Sequence, residues 1–100
     1  MSRLLNEELR KALPKLREQD GVKDPLVYAT FLFPASGWIW FVTEGEARDN
    51  GDFLFFGYVI GFESEWGHFS LSELEEVNVR GLRIERDFSF EPMPFSKCQN

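Results

Sequence analysis

The sequence predicts an α+β domain: a mainly antiparallel sheet of four to five strands, one N-terminal helix and one short C-terminal helix. Three observations carry this. Two apolar, aromatic runs at residues 38–43 and 53–61 flank the polar connector 44–52 and read together as a central hairpin. Leu5, Leu9, Leu13 and Leu16 recur at helical spacing and make one apolar stripe. Ser70, with Glu73 three residues on, opens a short helical pattern through Leu71, Leu74 and Val77.

The elements follow in order. Residues 4–18 read as the first helix, with Asn6 as N-cap, Glu7 and Glu8 where the helix dipole favours acids, and Lys15 and Arg17 near the other end. Pro14 removes a backbone donor and crowds the carbonyl four residues back, so a kink or a break is expected there. Gln19-Asp20-Gly21 stops the helix, and Asp24-Pro25 turns the chain. Residues 26–33 are the first strand, stopped by Pro34 and the turn Ala35-Ser36-Gly37.

In the hairpin, Trp38, Trp40 and Val42 point one way and Ile39 and Phe41 the other. In its second strand Phe53, Phe55 and Val59 oppose Leu54, Phe56, Tyr58 and Ile60. Apolar residues on both faces mean burial on both sides, or one buried side and an aromatic surface on the other. Asn50-Gly51 tolerates the positive φ of a tight turn. Residues 62–69 read as a loop or short edge strand, and 70–77 as the short helix. Gly81 marks a turn. Residues 82–90 alternate, with Leu82, Ile84, Phe88 and Phe90 against Arg83, Glu85, Asp87 and Ser89, as in a strand with one wet face. Pro92 and Pro94 end it, and the tail 92–100 is expected to be loose.

One hundred residues suit a single domain over residues 1–100. No apolar run approaches the roughly 20 residues a membrane-crossing helix needs, and charge interrupts the N-terminus before any signal-like core. A cytoplasmic location is therefore expected, with no membrane contact. Cys98 is the single cysteine, which leaves no internal disulfide, and one Cys with one His builds no structural zinc site. The net charge is −6, and it is unevenly placed: +2 over residues 1–23 and −8 over residues 24–100. An acidic body argues against direct nucleic-acid binding, which draws on Lys and Arg to neutralise phosphates, and is compatible with a basic protein surface.

Residues able to carry chemistry are few. Arg86 falls on the apolar side of its strand between Ile84 and Phe88, and a guanidinium there calls for a carboxylate. Glu44, Glu65 and Glu73 are the candidate partners; an arginine at a sheet edge with its head in water, or one gripping an anionic group in a cleft, are the alternatives. Glu85 and Asp87 share the opposite face, a pair of the kind that serves acid–base work or holds a divalent cation. His68 lies beside Trp66 and Phe69, Ser70 and Ser72 are accounted for by capping, and Cys98 has no nearby histidine to activate it. No phosphate loop, HxxxH pair or CxxC occurs. Sixteen aromatic residues exceed what two short helices can cover, so Trp38, Trp40 and neighbouring Phe residues are expected to leave part of a face open or to meet a partner.

Four strings resemble a known family: Gly37-Trp38-Ile39-Trp40-Phe41-Val42-Thr43-Glu44; Phe55-Phe56-Gly57-Tyr58-Val59-Ile60-Gly61; Glu65-Trp66-Gly67-His68-Phe69-Ser70-Leu71-Ser72-Glu73-Leu74-Glu75; and Ile84-Glu85-Arg86-Asp87. With Leu4-Leu5-Asn6-Glu7-Glu8-Leu9-Arg10-Lys11 and Leu13-Pro14, they resemble domain-of-unknown-function family 2958 over nearly the whole chain. His68, where that family usually carries an aromatic, and the tail with Cys98 depart from the pattern. The resemblance implies a small bacterial protein of a kind common on plasmids, phages and integrative elements. It implies no established activity, but such elements carry many small acidic proteins that block host defence. The reading that follows is a non-enzymatic protein-binding module, in this company an anti-defence inhibitor, with a protein partner of basic surface. Trp38, Trp40, Glu44, Glu65, Glu85, Arg86 and Asp87 are its binding candidates, with no catalytic residue, metal ligand or cofactor. The alternative is a small-ligand or metal-dependent activity in a cleft around Glu44, Glu85, Arg86 and Asp87.

Overall fold

Helix α1 (Glu7–Ala12) is shorter than the leucine periodicity predicts. Asn6 Oδ1 accepts the Leu9 amide at 2.8 Å and caps its start, with Glu7 and Glu8 in the first turn. It ends before Pro14 because a residue preceding proline is driven out of the α region. Leu13 is already extended, at ψ 131°. The chain breaks there and does not merely kink, and residues 15–21 form turns, with Arg17 at φ +76°. These observations come from a computed structural model that describes residues 2–98.

The predicted first strand divides at Tyr28. Strand β1 (Leu26–Val27) leaves the main sheet, while β2 (Ala29–Phe33) joins it. Then come β3 (Trp38–Ala47), β4 (Phe53–Ile60) and β5 (Ser64–Ser70), followed by α2 (Leu71–Glu76) and β6 (Glu85–Arg86). The chain closes with β7 (Met93–Pro94) and α3 (Phe95–Cys98). The main sheet is antiparallel in the order β5-β4-β3-β2-β6, and β1 pairs with β7 in a separate two-stranded ribbon. An α+β fold centred on the β3–β4 hairpin is what the aromatic runs predict.

Three differences bear on the site. Strand β3 runs on through Glu44-Gly45-Glu46-Ala47, which the turn-like composition places in the connector. A β-bulge at Thr43 shifts the register between Val42 and Glu44. Simple alternation would put Glu44 beside Trp40 and Val42; the extra residue turns it to the other face. Second, the predicted strand 82–90 reduces to two residues, because Leu82 and Phe88 stay exposed and only Ile84 reaches the core. Third, the segment expected to be loose is folded through residue 98. Phe95 N–H donates to the Pro25 carbonyl at 2.8 Å, and Asp24 accepts from both Ser96 N–H (2.9 Å) and Ser96 Oγ (2.7 Å). Residues 99 and 100 of that expectation lie outside the described residues.

The core lies on one face of the sheet, where Leu4, Leu5, Leu9 and Leu13 pack with Phe31, Val42, Phe53, Phe55 and Leu74. Arg10 sits over the Phe53 ring and Leu13 approaches Gly45, so α1 covers the C-terminal end of β3. On the opposite face Phe95 packs on Trp66 (4.8 Å between ring centres), Tyr58 (5.0 Å) and Phe41 (6.0 Å). The tail thereby covers part of the second aromatic face. Helix α2 carries the capping box read from Ser70 and Glu73. Asp52 accepts from Ser72 N–H and Oγ and ties this helix to the hairpin turn.

Candidate functional site

The seven candidate residues do not form one cleft. Glu44 is 3% exposed. Its two oxygens accept the backbone N–H groups of Arg17 and Gln19, each at 2.7 Å, while Glu46 accepts that of Leu16 at 3.0 Å. The bulge aims Glu44 at the loop after α1, where it works as a clamp. Sequence reasoning missed this because the donors are backbone groups twenty-five or more positions away.

Among the described residues Arg86 has no carboxylate partner, and the one ion pair is Arg17–Asp20 at 3.1 Å. Glu44 is occupied as described, Glu65 lies on the far edge strand, and Glu73 closes the capping box. The predicted internal pair is therefore replaced by an arginine on the edge strand β6, half-buried, lying 4.7 Å from the Phe88 ring centre. Its Nε and Nη1 are buried without a hydrogen-bond partner among the described residues. Burial lowers its basicity, and the Glu8 carboxylate opposes that shift. Glu85 and Arg86 line an open depression with Ser2, Arg3 and Phe88.

Asp87 turns away into a local motif, accepting Ser89 N–H at 3.0 Å and Ser89 Oγ at 2.6 Å. Those bonds hold its carboxyl below the usual range. Glu44 and Arg86 are separated by two strand spacings and by four positions along β3, since Trp40 and Arg86 both pair with Phe31. No group of three or more His, Cys, Asp or Glu side chains converges as a metal site among the described residues. Burial, with Asp24 nearby, pushes the Cys98 thiol up, which disfavours the reactive thiolate.

These contacts set an order of stability. Arg83, expected on the wet face, donates to the Glu75 carbonyl at the end of α2, a helix terminus with no basic residue in its last turn. Arg83→Ala is expected to cost about 1 kcal/mol through loss of that bond. Arg86→Met removes two unsatisfied polar atoms while keeping the stem, and is expected to unfold in urea at or above the parent midpoint. A midpoint for Arg86→Met well below that of Arg83→Ala would show that Arg86 has a partner after all.

Three of the candidates do come together. Trp38, Trp40 and Glu65 share a surface pocket with Val59, Phe62, Glu63, Gly67, His68 and Phe69. It lies at the N-terminal end of β3, the opposite end from α1. The Trp38 and Trp40 rings are 5.8 Å apart and tilted by 34°. Phe62 meets Trp38 at 5.3 Å and 84°, edge to face. Gly61 makes this possible, because a Cβ there would stand 2.5 Å from the Trp38 ring. Gly67 leaves the floor bare, since a Cβ on it would meet nothing within 4 Å.

Trp40 is mostly buried and Trp38 half-buried, whereas Phe62 is 95% exposed. Phe62 and Glu63 were not among the predicted site residues. The available signal was a phenylalanine inside Gly61-Phe62-Glu63-Ser64, a turn too short to return its ring to a core. Neither the curated proteins nor the solved structures contain a match. A family of proteins of unknown function, DUF2958, matches residues 4–97, and the chain belongs to it.

Proposed function

We propose that the protein is a non-enzymatic binding module that engages a basic surface on a protein partner. The observation that carries this reading is the pocket at the Trp38 end of the sheet, where aromatic rings stand beside the carboxylates of Glu63 and Glu65. Aromatic anchors in a depression are the usual energetic centres of protein interfaces, and flanking charge steers the encounter. The net charge of −6 extends the same field over the body. Inhibition of a host defence protein is the form of this role that the resemblance to mobile-element proteins suggests. The rival cleft activity around Glu44, Glu85, Arg86 and Asp87 has less support, since these side chains are held apart and Glu44 is committed to backbone amides.

The test is retention of the protein on immobilised short peptides that are Lys/Arg-rich, Asp/Glu-rich or uncharged. Retention on the basic peptides alone, weakening as salt rises, is the expected result. Equal behaviour on all three would remove the basis for a basic partner.

A further inference from the structure

The geometry points to a more specific occupant of this pocket: a lysine side chain of the partner, with its ammonium held by aromatic faces and two carboxylates. The inference rests on the binding role proposed above and names the chemistry of its site. Trp38 and Phe62 present ring planes set at 84° to one another, and the buried Trp40 backs Trp38 at a tilt of 34°. Walls of that kind surround a compact, rounded cation, whereas a planar guanidinium fits a flat slot between parallel faces. Val59 at the inner wall and the bare floor at Gly67 leave room for a four-carbon stem. Glu63 and Glu65, both exposed, stand where the charged head would emerge.

Neither Glu63 nor Glu65 forms an ion pair among the described residues, where the one such pair is Arg17–Asp20. The exposure of Phe62 is consistent with a ring whose second face awaits a ligand.

The experiment compares one short labelled peptide in three versions, carrying lysine, arginine or norleucine at the same positions, by fluorescence polarisation against the full chain. The lysine peptide is expected to bind best and the norleucine peptide, which keeps the stem without the charge, least. Gly67→Val fills the floor on an edge strand that tolerates a side chain, and Phe62→Ala removes an exposed wall; each is expected to weaken lysine-peptide binding about tenfold. Glu65→Gln should weaken it several-fold, and Glu91→Gln, the same charge change at another exposed position, should not. Undiminished binding by Gly67→Val and Phe62→Ala would overturn the inference while leaving a basic partner in place. So would tighter binding of the arginine peptide, or equal losses for Glu65→Gln and Glu91→Gln. Failure of the parent chain to bind either charged peptide would overturn both the inference and the proposed function.

Discussion

Glu44→Ala is expected to destabilise the protein by about 3 kcal/mol, a large share of the roughly 5–15 kcal/mol that holds a domain together. The side chain is almost fully buried and receives two backbone amides at 2.7 Å, one on each oxygen. Hydrogen bonds to a charged acceptor are the stronger kind, and alanine leaves both donors without a protein partner. Glutamine separates charge from geometry: it keeps one acceptor but turns an NH₂ towards the second amide, so Glu44→Gln should fall between alanine and the parent. Urea unfolding gives the order, and hydrogen exchange at the Arg17 and Gln19 amides should accelerate in both variants. Glu65→Ala, on the exposed edge strand, should leave the midpoint near that of the parent. A Glu44→Ala midpoint equal to the Glu65→Ala midpoint would mean that the clamp holds nothing.

Gly57→Ala is expected to be at least as damaging. A Cβ at position 57 would stand 1.8 Å from the Phe41 carbonyl oxygen and 3.2 Å from the Val42 Cα. These are backbone atoms of β3, beside the bulge, and no side-chain rotation relieves the contact. Overpacking typically costs about 1–3 kcal/mol, and a clash with a paired strand belongs at or beyond the upper end. Its cross-strand neighbour supplies the control. Gly67 pairs with Gly57, yet a Cβ there meets nothing within 4 Å. Gly67→Ala should be neutral or stabilising by a few tenths to about 1 kcal/mol, because it lowers the entropy of the unfolded chain. Similar midpoints for the two alanine variants would contradict the packing described around the bulge.

The contrast between those glycines shows where the sequence is legible. The hairpin could be read because Trp, Ile, Phe, Val and Tyr have no better place than a packed pleated surface, and both caps because their geometry is local: Asn6 to Leu9, and Ser70 with Glu73. What escaped was set by distant partners. Glu44-Gly45-Glu46 reads as turn chemistry, yet it continues β3 because Glu44 and Glu46 take up amides of the loop after α1, and Gly45 N–H donates to the Pro14 carbonyl. The bulge that reverses Glu44 has no signature in alternation. The tail escaped because Pro92 and Pro94 suggest a stop, whereas Phe95 finds the open face of the sheet and Pro94 pairs with Leu26.

The candidate site was legible in part, for the same reason. Trp38 and Glu65 were identifiable as residues with no obvious core role, and they meet at a pocket that Trp40, itself part of the core, also lines. Glu85, Arg86 and Asp87 looked equally unusual, but Asp87 is satisfied by Ser89 two residues on, and Arg86 lies on a short edge strand with Nε and Nη1 unpartnered among the described residues. Which unusual residues converge depends on strand order, and strand order is not local. Among the described residues no helix is long and apolar enough to cross a membrane.

In the role proposed above, the Trp38 end of the sheet is the surface that meets the partner. The three tryptophans report on it directly, since Trp38 and Trp40 line the pocket while Trp66 packs against Phe95 on the opposite face. Their indole N–H signals can be followed in a nitrogen–proton correlation spectrum as the lysine peptide is added. The Trp38 and Trp40 signals are expected to move together along a saturating curve while that of Trp66 stays in place. A spectrum in which Trp66 moves and Trp38 and Trp40 do not would contradict that role.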